Sequence, residues 1–221
     1  SISTIVAQDN SPTLQAAKRE LSIGIEGLLD KNVPLLEKPD RIKKGAVVIG
    51  TPRTSKIVKE LGRKTQLQQA GEEGFIIEST RINNMPVTVI IANTDIGVLY
   101  GVYHFLRLLQ TQSDIDSLKI VRSPRIRNRV LNHWDNLDRT VERGYSGFSL
   151  WDWHKLPDYL YPRYTDYARA NASIGINGAS LTNVNAKAIQ STNRRACFKF
   201  AGWVDCGRTK GGLVILEKQQ P

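Results

Sequence analysis

"LNHWDNLDRTVERGYSGFSLWDW", residues 131 to 153, decides how this chain is read. Three Trp, one His and the charges of Arg139, Glu142 and Arg143 fall within 23 positions, around a Gly-Tyr-Ser-Gly run. A core segment does not use such residues, because a buried charge is expensive unless paired. A plain surface loop does not use them either, because tryptophan is costly to leave in water. A planar, polar ligand satisfies both halves at once, and sugars fit that description.

The flanks give this stretch a place in a fold. Downstream, "PRYTDYARANASIGINGASLTNVNA" starts at Pro162. Its pattern predicts a helix over 164–173, a stop at Gly175 and a strand through "INGASLTNVN". With "NRVLNHW" as the preceding strand, this is a βαβ unit whose strands run parallel. Their C-terminal ends then lie side by side, where barrels and open α/β sheets build their sites. His133, Trp134, Asp135 and Asn136 fall at one end, and Asn183 and Asn185 at the other.

Upstream, "SDIDSLKIVRSPRIRNRV" reads as a boundary. Ser123-Pro124 breaks the chain, and Arg125, Arg127 and Arg129 alternate with Ile126, Asn128 and Val130, which predicts a leading strand. Before it, residues 1 to about 120 read as a small α/β domain. From Thr13 to Leu29, Leu14, Ala17, Leu21, Ile25 and Leu28 recur at helical spacing. Ala46 to Ile49 is a short buried strand, Gly50-Thr51-Pro52 a turn, and Ser55 to Leu61 a helix. Such a turn could cradle a phosphate. It lacks the P-loop lysine and the later glycines of a dinucleotide motif, so a structural turn is the better account. Phe75 to Ser79 and Val87 to Ala92 form a hairpin about Asn83-Asn84. A helix follows, capped by Thr94 or Asp95, with Val98, Val102, Phe105, Leu106 and Leu109 as its buried stripe. Gly97 and Gly101 let that helix lie close to the sheet, and His104 is read as a packed or surface residue.

Composition removes several function classes. The net charge is +10, but residues 187–221 hold seven Lys/Arg and two Asp/Glu, so half of the excess sits in that tail. No basic helix or aromatic RNA-binding motif accompanies the charge, and nucleic-acid binding is not expected. No apolar run approaches the roughly 18 residues of a membrane span. Cys197 and Cys206 could form one disulfide or none, and have no zinc-site spacing. No residue set has metal-ligand spacing, and no metal or cofactor is expected. The sequence opens at Ser1, as a processed product would, which favours a periplasmic or secreted location over the cytoplasm.

The stretch "VLNHWDNLDRTVERGYSGFSLWDW", with "YARANASIGINGASLTNVNA", resembles the start of the catalytic barrel of glycoside hydrolase family 67, the xylan α-glucuronidases. "IIANTDIGVLYGVYHFLRLLQ" resembles the accessory domain ahead of that barrel, a kind also found in hexosaminidases. The resemblance implies a hexosaminidase-like α/β sandwich over 1–124, the first βα elements of a TIM (β/α)8 barrel over 125–186, and an atypical basic tail over 187–221. It implies inverting removal of glucuronic acid, or its 4-O-methyl form, from xylo-oligosaccharides. Two carboxyl groups roughly 6.5–9.5 Å apart would do this. Expected partners are acidic glucuronoxylan fragments and a second copy of the chain as a homodimer.

The carried-over residues are substrate binders. Trp134 would wall the sugar, and Asp135 and Asn136 would bond hydroxyls. Arg143 would meet the uronate carboxylate or hold Glu142. Trp151 and Trp153 would line the xylose side, and Asn183 and Asn185 would close the second strand. The alternatives are interface packing for the tryptophans and a plain ion pair for Glu142 and Arg143. Asp138 and Asp152 are read as caps or surface residues. No catalytic residue is assigned, because the family's acid and base lie on later barrel strands and a whole barrel takes about 200 residues. From Lys187 the pattern is lost, so a frame shift or truncation near Ala186 is expected, with the 221 residues inactive by themselves. The alternative is a non-catalytic module that binds acidic xylan or docks a partner.

Overall fold

The computed structural model describes residues 2–8, 10–37, 42–136, 138–143, 147–152, 154–156, 158–181, 203–208 and 214–218. For 142–143, 181 and the last two stretches it describes the backbone only. The chain divides into two compact units, Ser1–Arg127 with Ala172–Gly175, and Asn128–Asn171 with Ile176–Pro221.

The first unit is built on a six-stranded sheet. In chain order its elements are β1 (Thr4–Val6), α1 (Pro12–Leu29), β2 (Leu35–Leu36), β3 (Ala46–Gly50), α2 (Lys56–Glu60), α3 (Lys64–Ala70), β4 (Phe75–Ile82), β5 (Met85–Ile91), α4 (Asp95–Gln110) and β6 (Lys119–Arg122). The strand order is β2-β1-β3-β5-β4-β6, with β2, β1, β3 and β5 parallel and β4 antiparallel to both neighbours. The sheet is covered on both faces, which is why β3 reads as an unbroken apolar run and is buried at all five positions. One face holds Ile5, Val47, Ile49, Ile77 and Ile90 under Leu14, Leu21 and Ile25 of α1 and Val98, Val102 and Phe105 of α4. The other holds Val6, Val48, Ile76, Val89 and Ile91 under Ile57 and Val58 of α2 and Leu67 of α3.

Local chemistry fixes where these helices begin. Ser11 Oγ accepts the Leu14 N–H at 3.2 Å, and Pro12 occupies the first helical turn of α1, where its missing N–H does no harm. Thr94 Oγ1 accepts the Gly97 N–H at 3.3 Å and starts α4. A Cβ added at Gly97 would lie 2.5 Å from the Gly74 carbonyl oxygen, and one at Gly101 would lie 2.6 Å from Ile90 Cγ2. The two glycines therefore set the distance between α4 and the sheet. The hairpin turns on Asn83 and Asn84, with φ of 49° and 64°, in the left-handed region that asparagine tolerates.

Two expectations for this region need correction. Leu28 is 42% exposed, so the buried stripe of α1 ends at Ile25. The alternating run of Arg125, Arg127 and Arg129 is not a strand: pairing stops at Arg122 and resumes at Val130, and Ile126 is 65% exposed. Pro124 has no N–H for a ladder, and an isolated isoleucine among arginines buries too little to hold one.

The second unit holds β7 (Val130–Asp135), β8 (Val141–Arg143), α5 (Arg163–Ser173, apart from its last two residues), β9 (Gly178–Leu181), β10 (Trp203–Arg208) and β11 (Val214–Lys218). β7 lies between β8, antiparallel, and β9, parallel, with His133 opposite Leu181 at the C-terminal ends. Gly175, at φ 77°, ends the helical segment, its N–H reaching the Ala172 carbonyl at 3.1 Å. Asn177 ties the strand starts together: its Oδ1 accepts the Arg129 N–H, and its N–H donates to the Arg129 carbonyl, both at 2.9 Å. In the tail, read as patternless, β10 and β11 form an antiparallel hairpin with an irregularity between Asp205 and Gly207. Cys206 lies in β10, whereas Cys197 and the rest of 187–202 lie outside the described residues. No helix among the described residues is long and apolar enough to cross a membrane.

Candidate functional site

The site is assembled at the C-terminal end of β7, within the second unit. Alternation along a strand sends His133 and Asp135 to one face, and Asn132 and Trp134 to the other. On the first face, His133 is 8% exposed and its Nε2 lies 2.5 Å from Tyr167 Oη of α5. Trp151 meets the edge of His133 at 5.5 Å and of Tyr167 at 5.7 Å, and stacks on Tyr164 at 5.3 Å and 27°. Four rings from β7, α5 and the segment after β8 thus form one cluster. Burial holds the His133 imidazole below its usual titration range, and the nearby Asp135 carboxylate opposes that only in part. This shift favours the neutral ring, which can donate one hydrogen bond and accept another.

Asp135 is 2% exposed, and its Oδ2 accepts the Ser149 hydroxyl at 2.6 Å. Ser149 Oγ in turn accepts the Trp151 N–H at 3.0 Å, and the Ser149 N–H donates to the Arg139 carbonyl at 2.8 Å. This chain of bonds runs from the strand end to the cluster's tryptophan. Asp135, read as bonding a sugar hydroxyl, has a buried carboxylate whose Oδ2 is bonded by Ser149, which ties the end of β7 to the segment carrying Trp151. Asp152, read as a cap or surface residue, is 9% exposed and is held by Lys155 at 3.1 Å and Arg139 at 4.0 Å, while its N–H donates to Tyr164 Oη at 2.7 Å. Asp138 behaves as read: its Oδ1 accepts the Thr140 N–H and hydroxyl in a tight exposed turn, and these bonds lower its carboxyl pKa.

On the opposite face, Ser180 Oγ of β9 donates to Asn132 Oδ1 at 3.0 Å, and Trp134 follows, partly exposed. Asn136 sits just past β7, where its side-chain amide donates to Thr140 Oγ1 at 3.0 Å and closes the turn to β8. The Glu142 and Arg143 backbones belong to β8, with Arg143 opposite Trp134. Trp153, Asn183 and Asn185 lie outside the described residues. Sequence reasoning passed over Tyr164, Tyr167 and Ser149. The two tyrosines stand three apart on a helix and so share a face, which was the available signal for the first pair.

The model of the glycosyl hydrolase family 67 N-terminus matches residues 1–105, and that of the family 67 middle domain matches residues 108–202. The chain belongs to glycoside hydrolase family 67. Among curated relatives of this family 67 chain, a probable alpha-glucuronidase A of Aspergillus oryzae is 29% identical over 88% of the chain and 22% of its own length. The probable alpha-glucuronidase A of Aspergillus fumigatus is 31% identical over 85% of the chain and 21% of its own length. Alpha-glucuronidase A of Emericella nidulans is 31% identical over 78% and 20%. The family 67 chain therefore spans about a fifth of the length of these relatives. Among solved structures, a GH138 enzyme targeting pectin rhamnogalacturonan II shares the fold at a TM-score of 0.53 and 14% identity, over 82% of this chain and 24% of that one.

Proposed function

We propose that this chain is the front part of an α-glucuronidase that hydrolyses the α-1,2 bond between (4-O-methyl)glucuronic acid and xylose in xylo-oligosaccharides, with inversion. The reading is carried by one coincidence. The family 67 middle-domain match, over residues 108–202, contains the parallel β7–β9 pair with the aromatic cluster at its C-terminal end. In this reading β7, α5 and β9 are the first βα elements of a (β/α)8 barrel, and the face of β7 bearing Asn132 and Trp134 is turned to the substrate. Trp134 walls the sugar, Arg143 meets the uronate carboxylate, and Trp153, Asn183 and Asn185 complete the rim. Asp135 and Trp151 act from behind, through Ser149 and the ring cluster.

The catalytic acid and base are placed on later strands of the barrel, and the 221 residues by themselves are proposed to be inactive. The proposed setting is periplasmic or extracellular, with a homodimer as the working assembly. The test uses xylotriose carrying one glucuronosyl branch, incubated with this chain and with a longer protein that contains it, and followed by proton NMR. The expected result is no release by the chain, and release of β-anomeric glucuronic acid by the longer protein. Release by the chain refutes its inactivity; no release by the longer protein refutes the enzyme. A second reading, a non-catalytic module for acidic xylan, draws on the ring cluster alone. It predicts saturable binding of the same oligosaccharide without turnover by any length of the protein.

A further inference from the structure

The first unit carries a groove that the site above does not use. It is open, measures about 950 Å³, and lies where β1, β3 and β5 begin. Its position follows from the register of the hairpin. Ile77 and Ile90 face each other in the core under α1 and α4. Two residues further on, the same face carries Ser79 opposite Thr88, and then Arg81 opposite Pro86. The face thus changes from aliphatic to polar, and these polar positions line the groove together with Ser3, Lys44 and Asp116.

The lining has a definite chemistry. Ser79 Oγ is engaged, donating to the Ile115 carbonyl and accepting the Leu118 N–H, so it fixes the wall at Ile115 and Asp116. Ser3 Oγ is buried, and no described group pairs with it. Lys44, Arg81 and Asp116 are exposed. Two cations and one carboxylate beside hydroxyl-bearing walls suit a ligand with a single anionic group and many hydroxyls. A polyanion such as a nucleic acid would meet repulsion at Asp116. The guanidinium of Arg81 can grip a carboxylate with two parallel bonds, while Asp116, an acceptor when ionised, can take a ligand hydroxyl.

We infer that this groove is an accessory binding cleft for a uronic-acid-bearing oligosaccharide, with Arg81 and Lys44 taking the carboxylate and Thr88 and Asp116 the hydroxyls. The inference rests on the substrate class proposed above. It makes the N-terminal unit a second contact with the same acidic glycan. Two weak contacts on one polymer raise the local concentration of chain ends far beyond what either does alone.

The test uses the full 221-residue chain, titrated with glucuronosyl-xylotriose and with unbranched xylotriose at low salt, by calorimetry. The variants are Lys44→Ala with Arg81→Ala, and separately Trp134→Ala. The groove residues are exposed, and circular dichroism checks that the variants fold. The expected result is preference for the branched sugar, weakened about tenfold in the Lys44/Arg81 variant, as loss of charge-assisted bonds implies, with the preference surviving in Trp134→Ala. Loss of the preference only in Trp134→Ala would overturn the groove and leave the enzyme reading intact. Equal binding of both sugars, no binding, or equal competition by inorganic phosphate would also overturn it. Glucuronic acid release by the longer protein judges the enzyme reading independently.

Discussion

Among the described residues, every buried hydrophobic side chain lies in the first unit, from Ile2 to Leu118, whereas the buried residues of the second unit are all polar: His133, Asp135, Ser149 and Asp152. α4 in the first unit buries seven residues; α5 in the second buries none. The two regions are held by different physics. The first gains from removing apolar area from water, at roughly 25 cal/mol per Å². The second rests on directional bonds and ring contacts, each worth about 1 kcal/mol net. A sheet filled on both faces has little left to offer a ligand at its centre. At the end of β7 the second unit instead brings polar and aromatic side chains together.

The largest test of this contrast is Phe105→Ala, which empties the centre of the first core. It is expected to lower stability by about 3–5 kcal/mol, read by urea unfolding with far-UV circular dichroism. All four tryptophans, at 134, 151, 153 and 203, belong to the second unit, so their fluorescence reports that unit alone. An unchanged fluorescence midpoint in Phe105→Ala would show two separate unfolding units, and a shared shift would break the contrast. Next in size is Ser149→Ala, which strips the buried Asp135 carboxylate of its 2.6 Å donor. It is expected to cost the second unit about 1–3 kcal/mol, visible in fluorescence and nearly absent from the far-UV signal.

A smaller effect is expected from pH, and it touches both units. His104 is held below its usual range by burial, then by Arg122 and Arg107, and His133 by burial against a partial pull from Asp135. For each, the unfolded chain binds protons more readily than the folded one. Both contributions are therefore full above about pH 6.5, the unfolded value, and are lost as pH falls through the folded values. Replacing either histidine with glutamine should flatten the fall in midpoint between pH 7 and pH 5, in the circular dichroism signal for His104 and in fluorescence for His133. The smallest effect belongs to the exposed Lys56–Glu60 pair at 3.8 Å. Lys56→Ala should change the midpoint by no more than about 0.5 kcal/mol.

What was legible in the sequence follows the same division. α1, α4, the Asn83-Asn84 hairpin and the β7–α5–β9 order were readable because long periodic runs and turn residues encode them locally. β1 and β2 were not, since three and two residues carry no period. α3 was missed because Leu67 and Ala70 alone are buried in it. β8 was hidden because its pairing is set by the turn at Asn136–Thr140 and not by an apolar pattern. In the site, His133, Trp134 and Trp151 stood out by composition. Their roles did not, because these depend on which face of β7 each residue takes and on Tyr167, 34 residues further along the chain.

The position of β1 has a consequence in time. It lies inside the sheet between β2 and β3, and its pairing with β3 joins Ile5 to Val47. A ribosome adding about 5–20 residues per second would leave the apolar Thr4–Val6 segment waiting for several seconds before that partner emerges. Pairing so remote in sequence also slows folding relative to local helices and hairpins. The β4–β5 hairpin, which needs only its own turn, can form at once after synthesis, so the hairpin is where this sheet is expected to nucleate, with β1 among the last strands to dock.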